Sequence, residues 1–129
     1  MSLVEAMLKM KNWAVVGATD NTEKFGYKIY KSLKEAGYDV YPVNPGVNEV
    51  LGDKCYPALK DLPVVPDVVN VVVPAKVGEQ IMRNCAELGI KNVWLQPGAN
   101  AASVVQLAKS FDLNVVDQSC VLVDLRNHK

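Results

Sequence analysis

The segment Asp67-Val-Val-Asn-Val-Val-Val73 is apolar at almost every position. Strand side chains point alternately to the two faces of a sheet, so a run of this kind has to be covered on both sides. That requirement fits an inner strand of a parallel sheet with helices on both faces. The flanking sequence agrees, because short β-branched runs alternate with helical spacing. A strand near residues 13–16 precedes a helix with Ile29, Leu33 and Ala36 at helical intervals, Gly37 in the place of a left-handed cap, and a second strand over 39–43. After the 67–73 strand, Val77, Ile81, Cys85 and Leu88 share one helical stripe that Gly89 closes, and a strand over 92–95 follows. Asn100 is the expected N-cap of a helix carrying Ala101, Val104, Val105 and Ala108, ahead of a fifth strand over 113–116. This order predicts an α/β fold, a Rossmann-like doubly wound sheet of about five parallel strands.

Other stretches are less regular. Ser2 and Glu5 have the spacing of a capping box, which predicts a short N-terminal helix within residues 1–10. Residues 46–65 read as an irregular crossover with one or two helical turns over 56–62 and loop at Pro63 and Pro66. Residues 120–125 form a short terminal helix or an extended segment, and 126–129 a tail. Asn70, inside the apolar strand, needs a polar partner. Trp13 and Trp94 fall in strands and are expected in the core, Trp94 close enough to a sheet edge to reach a pocket.

With 129 residues there is room for one domain and one core. Lys plus Arg and Asp plus Glu both number 14, so no net field draws the chain to nucleic acid or an anionic membrane, and no basic-aromatic interleaving suggests base stacking. The three cysteines, Cys55, Cys85 and Cys120, are far apart and lack metal-ligand spacing, as in a reduced intracellular protein. Lys9 and Lys11 follow the first apolar residues rather than precede them, and no apolar run reaches bilayer-spanning length; a soluble, cytoplasmic protein without metal is expected.

In a doubly wound sheet, ligands bind beyond the carboxyl ends of the strands. The segments predicted there are 17–19, 43–45, 73–75, 96–98 and 117–119, rich in Gly, Pro and small polar residues. In the first, Gly17 lets the chain leave the strand, Thr19 offers a hydroxyl, Lys24 a cation, and Gly26 close backbone approach at a helix start whose free amides suit an anion. Thr19 and Asp20 serve equally as turn formers. A dinucleotide site calls for Gly-x-Gly-x-x-Gly and an acidic residue at the end of the second strand. Here position 19 is Thr, the loop to Gly26 is longer, and the second strand ends in Asn44-Pro45. A carboxylate there would repel a ribose 3′-phosphate, whereas an Asn amide donates to one, although a neutral Asn also serves a ribose hydroxyl. These departures favour a carrier with an additional phosphate, such as coenzyme A, over NAD.

The stretches Ala14-Val-Val-Gly-Ala-Thr19, Lys24-Phe-Gly26, Gly37-Tyr-Asp-Val-Tyr-Pro-Val-Asn-Pro45 and Trp94-Leu-Gln-Pro-Gly98, with the late Cys120, resemble the small stand-alone CoA-binding domain proteins. These are similar to the N-terminal CoA-binding domain of the succinyl-CoA synthetase α subunit. The resemblance implies CoA or acyl-CoA along the strand edges. Gly17, Ala18, Thr19 and Lys24, with Phe25 and Gly26 beside them, would meet phosphates. Val43, Asn44 and Pro45 would take the nucleotide end, and Val73, Pro74, Gln96, Pro97 and Gly98 the remaining wall and pantetheine arm. The synthetases also use a phosphohistidine in a second domain, for which this chain has no counterpart; its one histidine is His128 in the tail. Cys120 is the candidate nucleophile but has no histidine to activate it. The expectation is therefore a binding or sensor module with no evident catalytic constellation; the alternatives are an NAD(P)-binding redox protein and Cys120 thiol chemistry on CoA or an acyl group.

Overall fold

The computed structural model describes residues 2–127. Its elements are α1 (Leu3–Leu8), β1 (Asn12–Val16), α2 (Phe25–Glu35), β2 (Asp39–Val43), β3 (Glu49–Val50), β4 (Asp53–Lys54), β5 (Val68–Val71), α3 (Ala75–Leu88), β6 (Asn92–Leu95), α4 (Ala102–Ser110), β7 (Asn114–Val116) and α5 (Val121–Asn127). Five strands form one parallel sheet in the order β2-β1-β5-β6-β7, and β3 and β4 form a separate antiparallel pair. The chain steps outward from β1 to β2 and then crosses back to β5 on the other side of β1. That reversal creates the switch point at which the carboxyl ends of β1 and β5 diverge.

Both faces of the sheet are covered, as the apolar runs require. Val69 and Val71 pack with Ile81, Met82, Cys85, Leu95 and Val104 under α3 and α4. Val68 faces the opposite layer, where Met7, Trp13, Val15, Ile29, Leu33, Trp94 and Val121 meet α1, α2 and α5. Trp13 and Trp94 are fully buried with centroids 5.9 Å apart, and their ring N–H groups donate to the Met10 and Ser119 carbonyls at 2.9 Å. Trp94 thus belongs to the core. Burial pushes the Cys85 thiol up to about 12, so it behaves there as a small apolar group.

The expected caps form for reasons legible in the residues. Ser2 accepts from the Glu5 amide at 3.1 Å. Gly37 (φ +95°) and Gly89 (φ +77°) take the left-handed conformation, which lets the Tyr38 and Ile90 amides reach back to the Leu33 and Cys85 carbonyls. Pro42 sits on edge strand β2, where its missing N–H interrupts no ladder, and its carbonyl accepts from Tyr56 of the crossover.

Four boundaries differ from the sequence expectation. β5 ends at Val71, and Val72 and Val73 leave the ladder toward the switch point. Leu113 is buried but lies outside β7. The N-cap of α4 is Ala101 rather than Asn100; the Asn100 side chain instead accepts from the Gly98 amide and donates to the Asp117 carbonyl at 2.8 Å, joining two edge loops. The irregular crossover contains the β3–β4 hairpin and a single 3-10 turn at Leu59–Asp61. The hairpin turn is Leu51-Gly52, with φ of +51° and +80°. Asn or Asp is the usual first residue of such a turn, so leucine there gives no hairpin signal. The Leu51 amide donates to Asp20 at 2.8 Å, a tertiary bond that holds the turn against the first loop. Residues 121–125 lie in helix α5, which Cys120 precedes and which continues through Arg126 and Asn127 of the expected tail, while His128 lies outside the described residues.

The hairpin also closes a polar network at the sheet edge. Lys34 and the buried Tyr30 donate to the Asp53 carboxylate at 2.6 and 2.5 Å. Burial opposes the Asp53 charge, but the hydrogen bonds from Lys34 and Tyr30 outweigh it and hold the carboxyl below its ordinary 3.8. A lowered folded-state value contributes stability above pH 3.8 that is lost as pH falls from there through the folded-state value. The Lys34 and Asp53 side chains are 44% and 38% exposed, so solvent screening limits the effect to less than about 1 kcal/mol. Asp53→Asn is therefore expected to flatten the acid limb of a stability-against-pH curve measured by urea unfolding; a limb unchanged in slope would show that this carboxylate carries none of it.

Candidate functional site at the switch point

The first loop is organised around two glycines. Gly17 follows β1 at φ +102°, donates its amide to the Val43 carbonyl at 2.9 Å, and leaves no room for a Cβ against the Val72 carbonyl. Gly26, in the first turn of α2, lies so close that a Cβ would overlap the Gly17 carbonyl oxygen. The helix start is thereby drawn onto the ends of β1 and β5, an approach only glycine backbone permits. Lys24 is the N-cap of α2 without a side-chain hydrogen bond, so no side chain of the cap masks the first-turn amides. Between the glycines, Thr19 Oγ1 accepts from the Asn21 amide and Asn21 Oδ1 from the Glu23 amide, so the Thr19 hydroxyl works as a turn former. Lys24 and Phe25 are exposed, Phe25 by 58%, at the mouth of this loop.

Asn44 ties the second loop to the first. Its Nδ2 donates to the Ala18 carbonyl at 3.0 Å, its Oδ1 accepts from the Gly46 amide at 3.0 Å, and its backbone amide pairs with Tyr56. One Nδ2 hydrogen is therefore engaged within the protein. Pro45 follows, exposed.

A cavity of about 290 Å³ opens where these loops meet the crossover and α3. Val16, Gly17, Val43, Asn44, Pro45 and Val73 line one side, and Pro57, Ala58, Leu59, Val77, Ile81 and Asn84 the other. No charged side chain lines it. Val77 is 47% exposed, an apolar residue that the helical stripe assigned to the core and that the fold turns toward this opening. A second recess of about 310 Å³ shares Val73 and continues past Val72 and Pro74 to Pro97, Gly98 and Ala99. Two cavities that share Val73 in their walls thus lie along the strand ends. A roomier cleft, about 360 Å³, lies beside β2 among Tyr30, Lys34, Tyr41, Asp53 and Tyr56, and contains none of the loop residues singled out in the sequence.

Gln96 is placed differently from its loop neighbours. It is 3% exposed, its Oε1 accepts from Asn70 Nδ2 at 3.3 Å and from the Val121 amide at 3.0 Å, and its Nε2 donates to Cys120 Sγ at 3.4 Å. It is the partner that Asn70 needs, although Asn70 Oδ1 remains unpaired. Pro97 and the positive-φ Gly98 reach the recess, while the Gln96 side chain turns inward to anchor α5.

A family model described as CoA binding domain matches residues 11–126. This chain belongs to the CoA-binding domain family. Within it, the chain is 33% identical over 119 residues to the α subunit of ADP-forming acetate–CoA ligase II from Pyrococcus furiosus, covering 84% of this chain but only 26% of that subunit. It is 29% identical to an uncharacterized Bacillus subtilis protein, YneT, over 92% of this chain and 88% of the other. Among solved structures, a hypothetical protein from Pyrococcus horikoshii superposes with a TM-score of 0.90 at 34% identity, covering 97% of this chain and 88% of its own. This CoA-binding domain thus spans about a quarter of the ligase subunit and most of the two small relatives. Among the described residues, no group of His, Cys, Asp or Glu is arranged to hold a metal ion, and no helix is long and apolar enough to cross a membrane.

The structure brings Gly17, Ala18, Gly26, Val43, Asn44, Pro45 and Val73 together at the switch point, with Pro74, Pro97 and Gly98 along the adjoining recess. Val77, Ile81, Asn84 and the Pro57–Leu59 wall escaped sequence reasoning. Val77, Ile81 and Asn84 fall at helical spacing on one face of α3, but the same spacing serves core packing, so it does not by itself reveal a cavity.

Proposed function

We propose that this protein binds coenzyme A or an acyl-CoA along the carboxyl edge of its sheet, as a carrier or sensor of that ligand in the cytoplasm. The observation that carries the reading is the pair of cavities that share Val73 at the strand ends, the first of them lined by Gly17, onto which the start of α2 packs. The uncapped first turn offers amide donors to a phosphate, and Gly17 and Gly26 keep the cradle free of Cβ atoms. Lys24 stands at the same helix end to add a cation. The uncharged 290 Å³ cavity suits a nucleoside, and the recess past Pro74 and Gly98 suits the thinner pantetheine arm. The residues present fit the ligand, and what they supply is binding and orientation.

The Gln96 hydrogen bond on Cys120 favours a second, narrower reading. The Cys120 sulfur, which accepts from Gln96 Nε2, would attack CoA disulfide, form a Cys120–S–S–CoA bond and release CoA thiol. One pair of measurements tests both readings. Calorimetry with CoA, acetyl-CoA, NAD and ATP is expected to give heat for the CoA compounds; no CoA heat at millimolar ligand sinks the proposal, and tight NAD binding would replace it with the redox alternative. Native mass spectrometry of freshly purified protein is expected to show a retained ligand lost on denaturation. A mass that persists on denaturation, is released by reductant and is absent from Cys120→Ser would establish the covalent reading.

A further inference from the structure

Asn84 has a single side-chain hydrogen bond among the described residues, from Gln80, and it lines the switch-point cavity. Val77, Ile81 and Asn84 occupy positions i, i+4 and i+7 of α3 and line that cavity together. Asn84 and Ala58 also form its boundary with a neighbouring space of about 410 Å³. Asn44 and Asn84 are the two polar side chains in an otherwise apolar lining, and their hydrogen bonding differs. Asn44 is engaged at both ends, by the Ala18 carbonyl and the Gly46 amide. Asn84 Oδ1 accepts from Gln80 Nε2 at 3.1 Å, one turn earlier, and among the described residues its Nδ2 donates to nothing. Gln80 therefore occupies the Asn84 oxygen and leaves its donor free.

We infer that Asn84 is a specificity-determining residue of the ligand site, donating to a ring-nitrogen acceptor of a heteroaromatic base that enters the cavity between Val73, Val77 and Leu59. The inference rests on the CoA reading and adds to it the direction in which the nucleotide lies. With no Lys or Arg in the lining, the cavity repays burial of an uncharged ring and offers no cation to a phosphate. The phosphates stay at the Gly17 and Lys24 end, and the base points toward α3. Purine rings present ring nitrogens as acceptors at their edges, and a free amide donor pairs with one of them.

The two halves of the ligand separate this role from a structural one. Adenosine 3′,5′-bisphosphate carries the base and phosphopantetheine does not. Asn84→Asp keeps the shape and the Gln80 bond but cannot donate, and Asn84→Leu removes the polar group. Both variants are expected to weaken adenosine 3′,5′-bisphosphate about tenfold or more, the loss that follows from removing one partner of a buried hydrogen bond, with phosphopantetheine within about twofold of wild type. Equal weakening of the two halves would show a merely structural effect and overturn the inference, as would unchanged affinity for the bisphosphate in a wild-type protein that binds CoA. If the wild-type protein binds no CoA, the CoA reading falls and the role of Asn84 with it.

Discussion

Gly26→Ala is expected to remove CoA binding and to lower the melting temperature by about 10 °C. The added Cβ would overlap the Gly17 carbonyl oxygen and crowd the Ala18 backbone, and both obstacles are main chain that cannot rotate away. Relief requires the start of α2 to move off the end of β1, which widens the phosphate cradle and strips packing from Ile29 and Leu33 behind it. Overpacking of this kind costs about 1–3 kcal/mol. Gly17→Ala should be worse, because the new side chain meets the Val72 carbonyl in a backbone conformation, φ +102°, that alanine rarely adopts. Thermal unfolding followed by calorimetry with CoA checks both. A Gly26→Ala protein with wild-type stability and wild-type affinity would mean that the helix start is not confined as described.

The second large effect is expected at a residue that the sequence placed on the ligand side. Gln96→Leu leaves the Asn70 amide and the Val121 N–H buried without an acceptor, since both now donate to Gln96 Oε1. Each unsatisfied group costs about 1–3 kcal/mol, so roughly 2–6 kcal/mol of stability should be lost in urea unfolding. The Val121 bond fastens the first turn of α5 to the sheet, and this helix should fray first, with faster amide exchange over 121–127 than elsewhere. Removing the second partner as well tests the network. Asn70→Leu in the Gln96→Leu background is expected to cost less than the sum of the two single changes, because the double change strands only the Val121 amide and no longer the Asn70 amide. Strict additivity would show that Asn70 and Gln96 do not act together.

These two residues illustrate how far a single chain can be interpreted. Gly17 and Gly26 stood out because a phosphate loop between a strand and a helix requires close backbone approach, and the structure gives each one a specific neighbour that forbids a Cβ. Gln96 stood out for its place in Gln96-Pro-Gly98, yet strand-edge position does not say which way a side chain turns. The partner that decided its direction, Asn70, is 26 residues away. Asn100 shows the same limit. Its residue type suits a helix cap, but the carbonyl of Asp117, brought near by β7, competes for the side chain and the cap passes to Ala101. The β3–β4 hairpin was hidden for a related reason, since Leu51 lacks the local turn preference and relies on Asp20 from another loop.

Local pattern determined the layers of this protein: apolar runs that demand cover on both faces, glycines that end helices before the next strand, and flexible, small residues at every strand exit. Those are properties of neighbours in the chain, set by backbone geometry and by the periods of strand and helix. Tertiary structure alone decided which exits meet. The reversal from β2 across β1 to β5 sets Gly17 beside Val43 and Val72, commits an Asn44 hydrogen to Ala18, and turns Val77, Ile81 and Asn84 from an ordinary core stripe into the wall of a cavity. Such pairings depend on hydrogen bonds and steric contacts between segments tens of residues apart, for which no local spacing carries a signal.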